Sequence, residues 1–297
     1  MSTPFPITGL RSVELRIPDV DLGAVFYTSV WGLVEAARRD DVVWLRGTGN
    51  DGHVLRLERG PSAAVVSITL RAASETDLAG LRHRMIAAGA TLEADIAHSD
   101  EQGGGVALSM RDEAGRVFRV VQGDATVATL ADDSSRPGRL AHVNINTSDI
   151  ERDIRFLVNG LGFRLTDRSA AMAFLRTNDD HHSIVLAKAT CDTLNHVAFN
   201  HECWEDVMKA SGRMRDARFP IGWGPGRHGP GNNVFVYFVD PFGIVIEHTA
   251  EVLKVDDSYR VGGPEDWVWP EGRVDQWGIA PPKTDDCKAA QLAIPFL

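Results

Sequence analysis

The chain has 297 residues, 43% of them hydrophobic, and carries a formal net charge of −10. That length and apolar content suffice for one large or two ordinary domains with full hydrophobic cores. The acidic balance disfavours nucleic acids and anionic membranes as partners.

The segment from Met1 to Pro6 has neither the basic start nor the apolar core of a signal peptide. No run of eighteen apolar residues occurs in the chain, so no membrane span is expected. Cys191, Cys203 and Cys287 lack any CxxC spacing, which argues against a disulfide framework or a thiolate zinc site. We therefore expect a globular cytoplasmic protein whose cysteines are reduced.

The chain repeats itself. An alternating strand pattern from Ser12 to Ile17 precedes an amphipathic helix pattern from Asp19 to Tyr27. The same order returns without gaps at an offset of 130, from His142 to Thr147 and from Asp149 to Leu157. The alignment predicts two structurally similar halves.

Each half contains a second, similar unit. The strand pattern from Ser67 to Leu70 and the helix pattern behind it correspond to the segments from His196 to Phe199 and from Glu202 to Met214. A turn at Asp240-Pro241-Phe242-Gly243 precedes the last strand of the second half, as Asp112-Glu113-Ala114-Gly115 does in the first. The sequence therefore predicts an α+β fold of paired βαβββ modules that form two similar barrel-like domains.

A polar segment rich in turn-forming residues, from Asp132 to Gly138, separates the halves. We place an N-terminal two-module domain at residues 1–131 and a C-terminal two-module domain at residues 138–250. Beyond these, proline, glycine and tryptophan interrupt the pattern. We expect residues 251–297 to form an arm that packs over the C-terminal domain.

The stretch from Gly226 to Glu247 predicts a β-hairpin that follows a glycine-rich loop. Side chains alternate faces along a strand, so Tyr237 and Glu247 can project to one side of the sheet, with His228 entering from the loop. Glu247 follows three apolar residues, where an unpaired carboxylate would be costly and a metal ion would compensate its charge. The hairpin is therefore a candidate part of a metal site.

Two histidines, His142 and His196, begin the first strands of the two modules in the second half. With Glu247 they could form a facial triad of two imidazoles and one carboxylate, which leaves coordination positions open on Fe(II). The aligned positions of the first half carry no such set: Ser12, Ser67 and Arg119. Core packing alone would not select two histidines and a glutamate together.

At these residues the sequence resembles the type I extradiol ring-cleavage dioxygenases of the vicinal oxygen chelate superfamily. The resemblance covers nearly the whole chain and is most specific from Gly226 to Glu247. It implies that His142, His196 and Glu247 are ligands of Fe(II) in the C-terminal domain. The same ligands can hold Mn(II).

The resemblance also implies roles around the metal. His182 is similar to the family's acid/base histidine, and Asn144 to an asparagine on the oxygen side in some members. His228 and Tyr237 are similar to its pair around the substrate hydroxyls. We expect His181 to point away from the site, because adjacent residues of an extended segment face opposite sides. Three aromatic residues are expected to form pocket walls for a substituted ring: Phe174, Trp223 and Phe238.

The implied activity is Fe(II)-dependent extradiol cleavage of a catechol-type aromatic by O2, which gives a 2-hydroxymuconic-semialdehyde-type product in aromatic catabolism. The resemblance and exposed strand edges also predict a homo-oligomer. Two alternatives stay open. One is a glyoxalase-like isomerase of the same superfamily, which would usually want a fourth protein ligand. The other is a non-catalytic small-molecule-binding protein, which needs a cleft but no metal.

Overall fold

The structure of the protein is a computed structural model that describes residues 5–130 and 135–297. The expected linker from Asp132 to Gly138 therefore lies partly outside the described residues, as does the start of the segment from Met1 to Pro6. None of the helices in these two ranges combines the length and the apolar character needed to cross a membrane.

The first half of the chain forms an eight-stranded sheet. Its strands are β1 (Ile7–Ile17), β2 (Val34–Arg39), β3 (Val42–Arg46), β4 (Leu55–Arg59), β5 (Ala64–Ala72), β6 (Thr91–His98), β7 (Val106–Arg111) and β8 (Val117–Gln122). Their spatial order is β2-β3-β4-β1-β5-β8-β7-β6. The first strands of the two modules, β1 and β5, are thus neighbours at the centre of the sheet.

The second half forms a sheet of the same topology. Its strands are β9 (Arg139–Thr147), β10 (Arg164–Arg168), β11 (Met172–Arg176), β12 (Ile184–Lys188), β13 (Thr193–His201), β14 (Trp223–Arg227), β15 (Val234–Val239) and β16 (Val245–Ala250). Their order is β10-β11-β12-β9-β13-β16-β15-β14, and a short β17 (Ile294–Pro295) pairs with β13. The predicted α+β fold of paired βαβββ modules is confirmed.

The helices lie between the strands at equivalent places in the two halves. They are α1 (Val20–Val25), α2 (Leu78–Ala87), α3 (Ile150–Arg155) and α4 (Trp204–Asp216), followed by α5 (Asp285–Ala290) near the end of the chain. The Asp19 and Asp149 carboxylates accept hydrogen bonds from the backbone N–H groups of Leu22 and Arg152, at 3.0 and 2.9 Å. Equivalent aspartates thus cap equivalent helices, which explains why the helix signal repeats.

The two halves pack through their helices. The π-helical turn Phe26–Trp31 that follows α1 contacts α4, and the turn Phe156–Gly160 that follows α3 contacts α2. Two buried polar contacts join the halves at these places. Tyr27 donates its hydroxyl to Asp240 Oδ2 at 2.8 Å, and an Arg116 guanidinium nitrogen lies 2.6 Å from Asp153 Oδ2. A single apolar cluster includes residues of both halves.

Asp240 is a buried carboxyl group at this contact. Its Oδ1 accepts hydrogen bonds from the backbone N–H groups of Phe242 and Ile244, each at 2.8 Å. Burial raises the pKa of Asp240 from 3.8 to about 6, against the lowering effect of the Ile244 N–H and the Tyr27 hydroxyl. Because this pKa is higher in the folded state, protonation of Asp240 favours folding, and that contribution is lost as the pH rises through about 6.

We expect Asp240→Asn to remove the titrating carboxyl group. The amide keeps an oxygen that can accept the hydrogen bonds of the Phe242 and Ile244 N–H groups. Wild-type protein should lose on the order of 3 kcal/mol of unfolding free energy from Asp240 between about pH 4 and about pH 7, at about 1.4 kcal/mol per pKa unit. Urea titrations of both proteins across this range measure the difference. Asp100→Asn, at an exposed position, is the matched control. An unchanged pH slope in Asp240→Asn would contradict the assignment.

Candidate functional site

Strand register brings the predicted residues to one face of the second sheet. His142 on β9 lies opposite Ala198 on β13, and Ala198 is the partner of Glu247 on β16. His196 lies opposite Asn144, and Tyr237 on β15 lies opposite Glu247. Since cross-strand partners share a face of a sheet, these four strands present their polar side chains together.

The atoms of His142, His196 and Glu247 that could bind a metal converge. The Nε2 atoms of His142 and His196 are 3.0 Å apart. The Nε2 atom of His142 lies 3.2 Å from Glu247 Oε2, and that of His196 lies 3.0 Å from the same oxygen. All three residues are buried. In the described ranges they are the one group of three or more His, Cys, Asp or Glu residues whose ligand atoms lie within 4.8 Å of one another.

The chemistry of this group fits a divalent cation. Glu247 Oε2 is buried but accepts no hydrogen bond, and burial of an uncompensated carboxylate is costly. Neighbouring ligands of an octahedral ion at about 2.1 Å lie about 3.0 Å apart, which agrees with the three observed separations. Two histidines and one carboxylate form the facial set that suits Fe(II).

The electrostatics keep the group in the form that binds metal. Burial raises the pKa of Glu247, but His142 and His196 outweigh it, and the pKa lies well below its ordinary value. Burial lowers the pKa of His196 to about 4, although Glu247 raises it. An ionised carboxylate and a neutral imidazole therefore face each other at neutral pH, as metal binding requires.

Amide side chains orient two members of the group. His196 Nδ1 lies 2.8 Å from Asn195 Oδ1, and Asn195 Nδ2 in turn donates to Asn146 Oδ1 at 2.8 Å. Asn233 Nδ2 lies 3.5 Å from Glu247 Oε1 and donates to Thr249 Oγ1 at 2.8 Å. Such contacts fix ring direction and tautomer in metal sites. Sequence reasoning missed these asparagines, because their role depends on pairing between distant strands.

A cavity of about 490 Å³ opens onto this face. Eight of the residues predicted from the sequence line it: His142, Asn144, Phe174, His182, His196, Trp223, His228 and Tyr237. Phe238 does not, so the prediction that it forms a pocket wall is wrong. It faces the opposite side of β15 from Tyr237 and packs in the core, with its ring centroid 6.5 Å from that of Trp31.

Three further side chains stand around the cavity in uncharged forms. Burial raises the pKa of Tyr237 well above its ordinary value, with Glu247 adding to the effect, so its phenol stays protonated. Burial lowers the pKa of His228 to about 3. Burial also lowers the pKa of His182 well below its ordinary value, and the neighbouring His142 lowers it further. Tyr237 Oη lies 3.2 Å from His228 Nε2 and 3.5 Å from His196 Nε2.

His181 lies outside the lining of the cavity, as expected from its position beside His182. Its ring nevertheless contacts the site from behind. His181 Nδ1 lies 3.0 Å from His182 Nδ1, and His181 Nε2 lies 2.7 Å from Asp167 Oδ2. The expectation that adjacent residues face opposite sides predicted that His181 points away from the cavity. It could not predict the contact between His181 and Asp167.

Residues of the segment 251–297 also line the cavity, among them Trp267, Trp269 and Lys283. Lys283 Nζ lies 4.6 Å from the ring centroid of Trp223 and 2.5 Å from Gln291 Oε1. Burial lowers the pKa of Lys283. No carboxylate of the described residues forms an ion pair with it. A single lysine in a proline-rich segment carries no signal in the sequence that would place it here.

The equivalent face of the first sheet is filled. Glu14 aligns with Asn144 and accepts hydrogen bonds from Ser12, Ser67 and Thr69, at 2.5, 2.7 and 2.9 Å. The space left beside Ser12, Thr69 and Arg119 is about 10 Å³. The same topology thus carries an open cavity in one half and a closed hydrogen-bond network in the other.

Two family models match the chain. The model described as Glyoxalase/Bleomycin resistance protein/Dioxygenase superfamily matches residues 139–248, and the model described as Glyoxalase-like domain matches residues 12–121. Each match falls within one of the two sheets and its helices.

Individual proteins match over most of the chain. This chain is 30% identical to metapyrocatechase 2 of Cupriavidus necator over 233 aligned residues, and the alignment covers 69% of each protein. It is 26% identical over 253 residues to the manganese-dependent 2,3-dihydroxybiphenyl 1,2-dioxygenase of Geobacillus genomosp. 3, with 77% of this chain and 80% of that protein covered. The crystal structure of the Mn(II)-bound glyoxalase from Novosphingobium aromaticivorans matches with a TM-score of 0.89 and 31% identity, covering 95% of this chain and 94% of that one.

We expect Glu247→Gln to weaken metal binding by more than about 100-fold, since loss of an outer partner of a ligand already costs about 10- to 100-fold. The amide removes the negative charge but keeps the shape. Elemental analysis after dialysis against a metal buffer measures the loss. Glu202→Gln, on the exposed surface, should bind metal as wild type does. Stoichiometric metal in Glu247→Gln would rule out the carboxylate as a ligand.

Proposed function

Because the chain belongs to the extradiol dioxygenases of the vicinal oxygen chelate superfamily, we propose that it cleaves a catechol-type ring beside its two hydroxyls, with O2 as co-substrate. The product is a semialdehyde of the 2-hydroxymuconate type. The observation that carries the proposal is the convergence of His142, His196 and Glu247 at a cavity that also holds His182, His228 and Tyr237.

His142, His196 and Glu247 would hold the metal ion. When bound, the ion supplies Lewis acidity and a path for electrons between the catecholate and oxygen, with positions left for both. We propose Fe(II), for which this ligand set is suited. Mn(II) is the alternative, because one relative is named manganese-dependent and one structural neighbour is Mn(II)-bound.

We assign His182 as the acid/base residue. Its Nδ1 contacts His181, which leaves Nε2 as the nitrogen available to the cavity. A neutral imidazole can take the proton of a catechol hydroxyl when the substrate binds and return it later in the reaction. The ring centroid of His182 lies 4.5 Å from that of His142. His182 would therefore accept and return the proton next to the substrate oxygens.

Tyr237 and His228 are proposed to hold the diol. The protonated phenol of Tyr237 can donate a hydrogen bond to the catechol oxygen as negative charge develops there. His228 lies 3.2 Å from the Tyr237 hydroxyl and can fix its direction. We propose that Asn144, which lies opposite His196 on the sheet and lines the cavity, contacts the O2 co-substrate.

An isomerase of the glyoxalase type is the second candidate, since the matched Novosphingobium aromaticivorans structure carries that name. Such an enzyme usually takes four protein ligands, whereas the converging group of the described residues has three. It would also have no use for His182, His228 and Tyr237. A non-catalytic binding protein would need the cavity but not the three ligands.

We further propose that the protein works in the cytoplasm as a homo-oligomer. The free state of Cys191, Cys203 and Cys287 supports a reducing compartment. Exposed apolar side chains such as Val268 and Ile279 support an association surface. The domain limits at residues 1–131, 138–250 and 251–297 are part of this proposal.

Oxygen uptake by Fe(II)-loaded protein with a panel of catechols tests the activity. We expect one O2 per catechol and a yellow product with the absorbance of a ring-opened semialdehyde. Glu247→Gln is the inactive control. Isomerisation of the methylglyoxal–glutathione hemithioacetal without oxygen uptake would favour the isomerase, and catechol binding without turnover by metal-loaded protein would favour the binder.

The charge of Lys283 predicts a preference among catechols. The cavity wall around it is aromatic, and its ammonium group has no carboxylate partner among the described residues. An anionic ring substituent would supply that partner in a low-dielectric place, where a hydrogen bond to a charged group is strong.

We therefore expect Lys283→Met to raise KM about 10- to 100-fold for a catechol with a carboxylate side chain, as a charged hydrogen bond of about 1.5–3 kcal/mol implies. The corresponding neutral amide should be affected far less. Steady-state kinetics with both substrates measure the difference. Lys288→Met, an exposed lysine of α5, is the matched control. Equal losses for both substrates would exclude charge recognition by Lys283.

A further inference from the structure

A line of buried, hydrogen-bonded side chains runs from the cavity to Asp167 on β10, an edge strand of the second sheet. His182 Nδ1 lies 3.0 Å from His181 Nδ1, and His181 Nε2 lies 2.7 Å from Asp167 Oδ2. His181 and Asp167 are fully buried, and His182 is nearly so. Two adjacent histidines that share a hydrogen bond are not explained by core packing, because apolar side chains would fill the same space without the cost of burying polar groups.

The carboxylate at the end of the line is held by the segment that follows β16. The backbone N–H of Gly262 donates to Asp167 Oδ1 at 2.6 Å, and the Tyr259 hydroxyl donates to Oδ2 at 3.1 Å. A Cβ at Gly262 would lie 2.4 Å from Oδ1, so this approach requires glycine. Two donors, one on each oxygen, suit an ionised carboxylate, which can only accept hydrogen bonds.

The arrangement determines where the protons lie. Because the ionised Asp167 accepts, His181 must donate from Nε2. A neutral His181 then has only a lone pair at Nδ1, so it accepts a hydrogen bond from His182. His182 therefore carries its proton on Nδ1, and its Nε2 is free to accept a proton in the cavity. The carboxylate sets the tautomer of a histidine that it does not touch.

We propose that Asp167 and His181 are positioning residues that fix the tautomer and the ring direction of His182. The inference rests on the proposed function, in which His182 is the acid/base residue. The logic is that of the serine protease triad, where a buried aspartate holds a histidine in the tautomer that can accept a proton. Here the same effect passes through a second imidazole.

Asp167→Asn is the direct test, since an amide that donates to His181 Nε2 reverses both tautomers and leaves His182 protonated on Nε2. In the Fe(II)-loaded enzyme, kcat should fall about 100- to 10,000-fold, the range of acid/base contributions. Metal content should stay as in wild type, because none of the three metal-binding side chains is changed. An unchanged kcat would overturn the proposal.

A double-mutant comparison separates positioning from general damage. Asp167→Asn should cause no further loss of kcat in a His182→Phe background, because its effect passes through His182. Additive losses would mean that Asp167 acts by another route and would overturn the proposal. Tyr259→Phe, which leaves Gly262 and His181 on the carboxylate, is the matched control and should lose no more than a few-fold in kcat.

A readout that does not depend on turnover completes the test. Two-bond ¹H–¹⁵N correlations of the histidines in Zn(II)-loaded protein report which nitrogen of His182 is protonated. We expect Nδ1 in wild type and Nε2 in Asp167→Asn. If Asp167→Asn does not fold, His181→Phe removes the same hydrogen bond and should abolish the preference for Nδ1. A wild-type His182 protonated on Nε2 would overturn the proposal, whereas absence of catechol cleavage in wild type would refute only the proposed function.

Discussion

The constraint on which the site depends is the burial of the Glu247 carboxylate on β16, an interior strand of the second sheet. Its Oε2 lies within 3.2 Å of two imidazole nitrogens and accepts no hydrogen bond. A negative charge in that place is tolerated only beside a compensating cation. The orientation of His196 by Asn195 and the contact of Asn233 with Glu247 follow from the same need, since both hold the ligand atoms toward one point.

The first half of the chain shows what happens when that constraint is absent. The same strand order is present, but Glu14 is satisfied by three hydroxyl groups and the space beside Arg119 is closed. A filled network of this kind can add stability and rigidity without a ligand. The first half in turn supports the second, because its helical turn packs on α4 and its Tyr27 hydroxyl binds Asp240.

Much of this architecture could be predicted from the sequence, because it depends on local periodicity. The repeat at an offset of 130 predicted the two sheets, and strand alternation predicted that Tyr237 and Glu247 share a face. The same alternation should have excluded Phe238 from the cavity, since its neighbour Tyr237 faces inward. The hydrogen bond between His181 and Asp167 could not be predicted, because the two residues are 14 positions apart on either side of strand β11 and no short-range pattern records their approach.

The segment after β16 was the least predictable part for a related physical reason. It contains one α-helix of six residues, a 3-10 helix of three and a strand of two, so its position depends on contacts with the rest of the fold rather than on its own periodicity. Those contacts are spread over the second sheet: Gly262 binds Asp167, Thr284 binds the backbone of Gly222, and β17 pairs with β13. The segment that places Lys283 in the cavity therefore also supports the carboxylate behind His182. With the roles proposed for Lys283 and His182, any change in how this segment packs would alter substrate contact and acid/base geometry together, which would make it a structural link between specificity and catalysis.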